Sequence, residues 1–272
     1  MKEAVLKRFS LEGKTAVVTG AAGMLGYHSL CTFAEAGADL ALVDLPQCMD
    51  ALKKRAAELE EEFGINARAY GADLTDEKAV DQMFVTIDEE MDGIDIVHSN
   101  AGVGGARTPD YETPLSDYMR VIRGNLITMF LVDTAACRVM IKRGKGGSII
   151  NTCSMGGSCV MQGPDYTTFD NSSYGASKAA ALYFTKSLAS QVIQYGIRVN
   201  SISPGHITPR GGGQLAETQE DKATFEAFSK SQPAKRTCEV EELMGGLLYL
   251  ASEASSYCVG TDLLIDGGHT IW

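Results

Sequence analysis

KTAVVTGAAGMLG, residues 14–26, decides the fold. Lys14 to Thr19 is a short β-branched, apolar run that reads as a strand, and from Leu25 to Glu35 the apolar side chains recur at helical spacing. Between them lies a glycine-rich turn, Thr19 to Gly26. A strand that turns through glycines into a helix is the context in which such a run carries weight. Glycine permits a tight turn and close approach of a pyrophosphate, whose charge the first amides of the helix can meet. Gly20, Gly23, Met24, Leu25 and Gly26 are therefore the expected dinucleotide contacts. An ordinary glycine turn is the plain alternative, and the strand-to-helix placement counts against it.

The same alternation continues outward. Strands are predicted at Leu40 to Val43, near Arg68 to Tyr70, and at Ile94 to His98, Ser148 to Thr152, Ile197 to Ile202 and Asp262 to Ile265. Helices are predicted from about Met49 to Phe63, at Glu77 to Glu89, through a long helical region from Leu115 to Arg143, from Tyr174 to Tyr195 and at Val240 to Ala251. Repeated β-α-β order predicts the α/β class, with a parallel sheet covered by helices on both faces. Between Pro204 and Pro233 the periodicity weakens. PGHITPRGGG cannot be a regular helix, while Leu215 to Ser231 suits a short polar one, so 205–233 is expected to form a mobile lid beside the carboxyl ends of the strands. No linker or internal repeat divides the chain, and one domain over 1–272 is expected.

Composition excludes some classes. A formal net charge of −11 over 272 residues, with lysines spread thinly, argues against a nucleic-acid partner, which requires clustered cations. The acidic run Glu58 to Glu62 reads as the solvated face of a helix. The seven cysteines form no CxxC pair, and His28, His98, His206 and His269 lack ligand spacing, so neither a disulfide framework nor a metal site is expected. The N-terminus has no signal-peptide core and no window reads as a membrane span; a cytoplasmic protein with no membrane partner is expected.

Asp44 ends the second strand eighteen residues beyond Gly26, where a carboxylate can accept hydrogen bonds from both adenosine ribose hydroxyls. A 2′-phosphate would be repelled there, and Leu45-Pro46-Gln47 offers no cation, so NAD is expected over NADP. A turn-forming Asp is the alternative. Asp73, with Leu74 in ADLTD after the third strand, is placed to contact the adenine edge or equally to cap the helix near Glu77. Asn100, Ala101 and Gly102 follow the fourth strand, and their small side chains would let backbone pass close to a flat ligand.

Tyr174 and Lys178 stand four apart, on one face of a helix. A neighbouring cation favours the phenolate, the adjustment an acid/base needs, whereas a surface tyrosine over a solvated lysine is the bland reading. Ser154 closes the strand SIINTCS and can donate to a carbonyl oxygen, or be a loop hydroxyl. Asn125 sits inside the helical stretch RGNLITMF, where Asn is unfavourable; a water bridge to Lys178 or a local irregularity would account for it.

Taken together, TGAAGMLG, Asp44, ADLTD, the NAG at 100–102, Asn125, Ser154, YGASK at 174–178, Pro204-Gly205 and the terminal DGG at 266–268 resemble, in order and spacing, the short-chain dehydrogenase/reductase family. The resemblance covers the whole chain and implies a single Rossmann-type domain, a doubly wound parallel sheet. It further implies Tyr174 as acid/base, Lys178 as its partner and a nicotinamide-ribose ligand, Ser154 as the group orienting substrate oxygen, and Asn125 as the holder of a relay water. Pro204, Gly205, Ile207 and Thr208 become cofactor contacts, and Met155, Gly156, Tyr166 and His206 substrate contacts beside Ser154 and Tyr174. For His206 a surface-loop reading ranks first. A homotetramer or homodimer is implied as well.

Three positions depart from the family pattern. Met24 stands where the pattern has glycine, with Gly23 just before it; Pro209 stands where a threonine is common, with Thr208 one residue early. Ser154 precedes Tyr174 by twenty residues, a long spacing that leaves Tyr166, Phe169, Asp170 and Asn171 to border the substrate side. Such spacings resemble members acting on sugars or polyols, while Met155, Val160 and Met161 suit a steroid or another apolar ketone. The implied reaction is reversible hydride transfer between a small-molecule alcohol or ketone and NAD. A dinucleotide-binding sensor without turnover is the rival reading, with Met24 in its favour. A ketoacyl-carrier reductase is disfavoured, because its partner and this chain are both acidic.

Overall fold

The computed structural model describes residues 4–105, 108–161, 172–208, 226–227, 229–230 and 232–271. β1 (Thr15–Thr19), β2 (Asp39–Asp44), β3 (Ala67–Gly71), β4 (Ile96–Ser99), β5 (Gly147–Thr152), β6 (Ile197–Pro204) and β7 (Asp262–Ile265) form one sheet in the order β3-β2-β1-β4-β5-β6-β7. Every neighbouring pair is parallel. The winding direction reverses between β1 and β4, and in a doubly wound sheet that reversal opens a crevice at the carboxyl ends of the strands.

Helices α1 (Met24–Glu35), α2 (Met49–Phe63) and α7 (Glu241–Ala251) cover one face; α3 (Glu77–Glu90), α5 (Thr128–Arg143) and α6 (Ser172–Val192) cover the other. Strand alternation divides the core accordingly. Ala16, Val18, Leu40, Leu42, Ile96 and Ile150 pack with Leu30, Phe33, Leu52 and Leu247, whereas Val17, Ala41, Val43, Val97 and Ile149 pack with Phe84, Ile87, Val132 and Leu188. Burying both faces explains why the strands read as continuous apolar runs.

Element boundaries differ from expectation where side chains intervene. β4 starts at Ile96 because Asp95 clamps β1, accepting from the Thr15 amide at 3.1 Å and the Lys14 ammonium at 3.2 Å. β6 runs on to Pro204 because its last residues pair with Leu264 and Ile265. The predicted helix from Leu115 to Arg143 divides into α4 (Leu115–Ile122), a π-helical turn at Arg123–Ile127, and α5. That region is long and apolar enough to cross a membrane by length and composition, and more than half of its apolar window is buried against the rest of the protein, as in a core helix. The expected lid at 205–233 falls largely outside the described residues.

Within the layer of α5 and β5, Asp133 is fully buried, with the polar side chains of Asn151 and Ser99 nearby, and among the described residues neither carboxyl oxygen has a well-formed hydrogen bond. Asn151 Oδ1 is also buried without one. Burial pushes the Asp133 carboxyl up to about 7, from 3.8, against the opposite pull of Asn151 and Ser99. Between those values the folded chain keeps a proton that the unfolded chain has released. Stability present below about pH 4 is therefore lost as pH rises to about 7, and changes no further above it. Asp133→Asn retains the shape without titrating. It is expected to be more stable than the parent at pH 8, by on the order of 4 kcal/mol at most, with the gap narrowing toward pH 5. Urea denaturation at the two pH values checks this, and an equal difference at both would rule out a titrating Asp133.

Candidate active site

A cleft of about 610 Å³ opens at the carboxyl ends of β1, β2, β4 and β5. Its floor is the glycine turn. Gly20 has φ +67°, a conformation L side chains rarely adopt, and a Cβ on Gly26 would stand 2.2 Å from the Gly20 carbonyl oxygen, so only glycine lets α1 approach the turn this closely. Gly23 is the N-cap of α1, and Met24, Leu25 and Gly26 line the cleft in its first turn. Helix-terminal amides and the positive end of the helix dipole thus lie where a pyrophosphate would be received. The residues present fit a dinucleotide.

All of the expected cleft residues of the glycine turn, Asp44–Leu45, Asp73–Leu74 and Asn100–Gly102 line this one cavity, together with Tyr174 and Lys178. Asp44 Oδ2 accepts from the Ala22 amide and Oδ1 from the Leu45 amide, each at 2.8 Å. Each oxygen keeps a further acceptor site for a ribose hydroxyl. Asp73 accepts from the Thr75 amide at 2.9 Å and hydroxyl at 2.7 Å, bonds that hold its carboxyl below the usual range. It does not cap α3. Asp76 does, accepting from the Lys78 and Ala79 amides.

Behind the cleft, polar groups at the strand ends tie β1, β4 and β5 together. The amides of Asn100 and Ala101 donate to Thr19 Oγ1 at 2.9 and 3.1 Å, and Asn100 Nδ2 donates to the Thr19 carbonyl. Thr152 Oγ1 donates to Asn100 Oδ1 at 3.1 Å and lies 2.9 Å from His98 Nε2. With the Thr152 proton directed to Asn100, His98 donates from Nε2. Burial pushes its pKa down to about 3, so the ring is neutral.

Tyr174 and Lys178 share a face of α6, and the Lys178 ammonium lies 5.8 Å from the centre of the Tyr174 ring. Lys178 is 5 % exposed and donates to the Thr152 carbonyl at 2.7 Å. Burial lowers its pKa, with a smaller opposing pull from Cys153. Asn125 lies in the π-helical turn, 1 % exposed. Its Oδ1 accepts from the Val103 amide at 2.7 Å, and its Nδ2 donates to the Val103 carbonyl and to Ser177 Oγ. Ser177 Oγ in turn donates to the Tyr174 carbonyl. Both amide protons of Asn125 are thereby committed, and its side chain joins the loop after β4 to α6. A Cβ on Gly102 would come within 3.0 Å of Asn125 Oδ1 and 3.9 Å of Lys178 Nζ, so glycine keeps this corner open.

Other expected contacts lie apart from the cleft. Ser154 is buried next to it, and its hydroxyl accepts from the Gly156 amide at 3.1 Å. Met155 is buried, while Gly156 borders a second cavity of about 450 Å³ with Cys159, Val160 and Met161. Gly205 packs on Asp266, where a Cβ would meet backbone at 2.7 Å. Ile207 bridges to Cys238, and Thr208 turns toward Thr237 and Glu239. Pro204, Gly205, Ile207 and Thr208 are absent from the lining of the cleft. His206 is not on a surface loop: it is 9 % exposed, stacked edge-on against His269 at 5.7 Å, and burial takes its pKa down to about 4. Tyr166, Phe169, Asp170 and Asn171 lie outside the described residues.

Sequence reasoning missed Thr152, Ser177 and Arg55. Thr152 acts through its main-chain carbonyl, which no motif records. Ser177 sits inside YGASK and was legible as the helical neighbour of Asn125 only once the π-helical turn was known. Arg55 lies in α2, and its guanidinium reaches the Ala21 carbonyl of the glycine turn at 2.6 Å.

Residues 20–270 match the family described as Enoyl-(Acyl carrier protein) reductase. The chain is 34% identical over 271 residues to a sorbose reductase of Candida albicans, covering 98% of this chain and 90% of that one. It is 33% identical to an NADP-dependent mannitol dehydrogenase of Hypocrea jecorina, covering 98% and 96%. Among solved structures, an NAD+-bound xylitol dehydrogenase superimposes with a TM-score of 0.83 at 33% identity, covering 95% of this chain and 99% of that one. With sheet order, cradle and full-length similarity in agreement, the protein belongs to the short-chain dehydrogenase/reductase family of oxidoreductases.

Proposed function

We propose that the protein oxidises a secondary hydroxyl of a neutral sugar or polyol to the ketone, reversibly, with NAD as its carrier, acting as one catalytic domain in a cytoplasmic homotetramer or homodimer. The observation that carries the reaction is the Tyr174 and Lys178 pair lining the same cleft as the glycine turn. The polyol class is supported by the similar sorbose reductase, mannitol dehydrogenase and xylitol dehydrogenase. NAD is supported by Asp44, whose charge repels a 2′-phosphate. Exposed Phe130, Ile127 and Tyr183 on and beside the catalytic helix layer support self-association.

The bound dinucleotide supplies the hydride acceptor or donor. Asp44 takes its adenosine ribose, the first turn of α1 its pyrophosphate, and Lys178 its nicotinamide ribose. In oxidation the Tyr174 phenolate removes the hydroxyl proton of the substrate, and Ser154 steadies the oxygen. Lys178 needs its charge in order to favour that phenolate. Burial alone disfavours the charge, and the Thr152 carbonyl offsets this by accepting from it. Asn125 holds Val103 and Ser177, so the cleft wall and the tyrosine turn stay in register. In reduction each proton moves in the opposite sense.

A second reading has its own observation. The cavity bordered by Gly156, Cys159, Val160 and Met161 is mostly apolar and suits a steroid or another apolar ketone.

Turnover of polyols and ketoses, followed by reduced-nicotinamide absorbance beside a steroid panel, decides between the two. Tyr174→Phe is expected to lower kcat by about 10²–10⁴-fold while leaving dinucleotide affinity within a few-fold. Activity near that of the parent in Tyr174→Phe would remove the tyrosine from the chemistry. Cofactor choice has a separate check: NAD is expected to bind more tightly than NADP in calorimetry, and equal affinities would refute the use made of Asp44.

A further inference from the structure

The peptide joining Ala21 to Ala22 is held at both ends by opposite charges. Its carbonyl accepts from Arg55 Nη1 at 2.6 Å, and its amide donates to Asp44 Oδ2 at 2.8 Å. A cation and an anion thus sit at the two ends of one peptide dipole, and each charge strengthens the other's bond through it. Arg55 is half-buried, with its guanidinium 4.8 Å above the centre of the Tyr27 ring, and makes no carboxylate ion pair among the described residues. In a chain of net charge −11, a cation that no described carboxylate pairs with, set against the glycine turn, calls for a reason. Cys48 reports that both charges face one spot, since Asp44 raises its thiol pKa, after burial, while Arg55 lowers it.

We propose that Arg55 is a positioning residue for cofactor selectivity. Through the Ala21–Ala22 peptide it fixes the Asp44 carboxylate in the orientation that accepts the free 2′- and 3′-hydroxyls of the adenosine ribose. The proposal rests on the reading that the cleft takes a dinucleotide with Asp44 at that ribose. Arg55 acts from behind the turn, because it does not line the cleft. A ligand phosphorylated at the 2′-oxygen cannot use the same bond pattern and gains less from the arrangement. Tyr27 supplies the platform that keeps the guanidinium in place.

Calorimetric titration of the full chain with ADP-ribose, NAD, NADP and nicotinamide mononucleotide tests this. Arg55→Met, which keeps the packing on Tyr27, is expected to weaken ADP-ribose and NAD about tenfold, NADP less, and nicotinamide mononucleotide not at all. Arg55→Lys, retaining charge and one donor, is expected to recover most of the loss. In an Asp44→Ala background the same Arg55→Met change is expected to alter ADP-ribose affinity less than about twofold, because the group it positions is gone. Unchanged ADP-ribose affinity in Arg55→Met, or a tenfold loss in both backgrounds, would overturn the proposal; the latter assigns Arg55 a general structural role. A parent protein that prefers NADP would refute the NAD reading separately, and the ADP-ribose cycle would still decide the fate of Arg55.

Discussion

The Lys178 ammonium, 5 % exposed and bonded to the Thr152 carbonyl, is the constraint around which the site is built. Among the described residues no carboxylate pairs with this buried cation, so the dipoles that hold it must not rotate away. The Thr152 carbonyl cannot: it ends β5, between β4 and β6, and its hydroxyl is held between Asn100 and His98. Asn100 is itself bonded to Thr19 at the start of the glycine turn. One polar network therefore runs from the glycine turn to α6, and a neutral His98 completes it without adding a competing charge.

The helical side of the site obeys a similar logic. An Asn in a helix interior is unfavourable unless its amide is used, and Asn125 uses it across two neighbours, Val103 and Ser177. The π-helical turn at Arg123–Ile127 contains Asn125, whose amide makes these bonds from it. Of the two readings weighed in the sequence, the local irregularity is the one visible here, and the amide binds protein groups on both sides of it.

Much of this was legible in the sequence for specific reasons. α2 was predicted with its true ends because Leu52, Ala56 and Leu59 keep helical spacing and Gly64, at φ +68°, stops the helix. The inner strands were legible because their residues are buried on both faces. The cleft was legible wherever a residue lines it with its own side chain, as Asp44, Tyr174 and Lys178 do. It was illegible where partners are distant in sequence or act through backbone. Arg55 meets a carbonyl 34 residues away, Asp76 rather than Asp73 caps α3, and the buried His206 packs edge-on against the distant His269. In the last case a local pattern, PGHITP, signalled a loop, and tertiary packing overrode it.

Met24 shows how a departure from a motif can leave its physics intact. Two glycine positions in the turn are sterically compelled: Gly20 by its positive φ, and Gly26 by the carbonyl it would otherwise strike. Position 24 is neither. It is the first residue of α1 after the Gly23 cap, where helical backbone suits any L residue except as the ligand requires, and its side chain lines the cleft without closing it. A methionine there adds a flexible apolar surface beside the expected pyrophosphate path. It leaves the helix-terminal amides in place. The substitution that most favoured a binding protein without turnover thus falls at the turn position where glycine matters least to the cradle, and the argument for catalysis rests undisturbed on Tyr174, Lys178 and the strand-end network behind them.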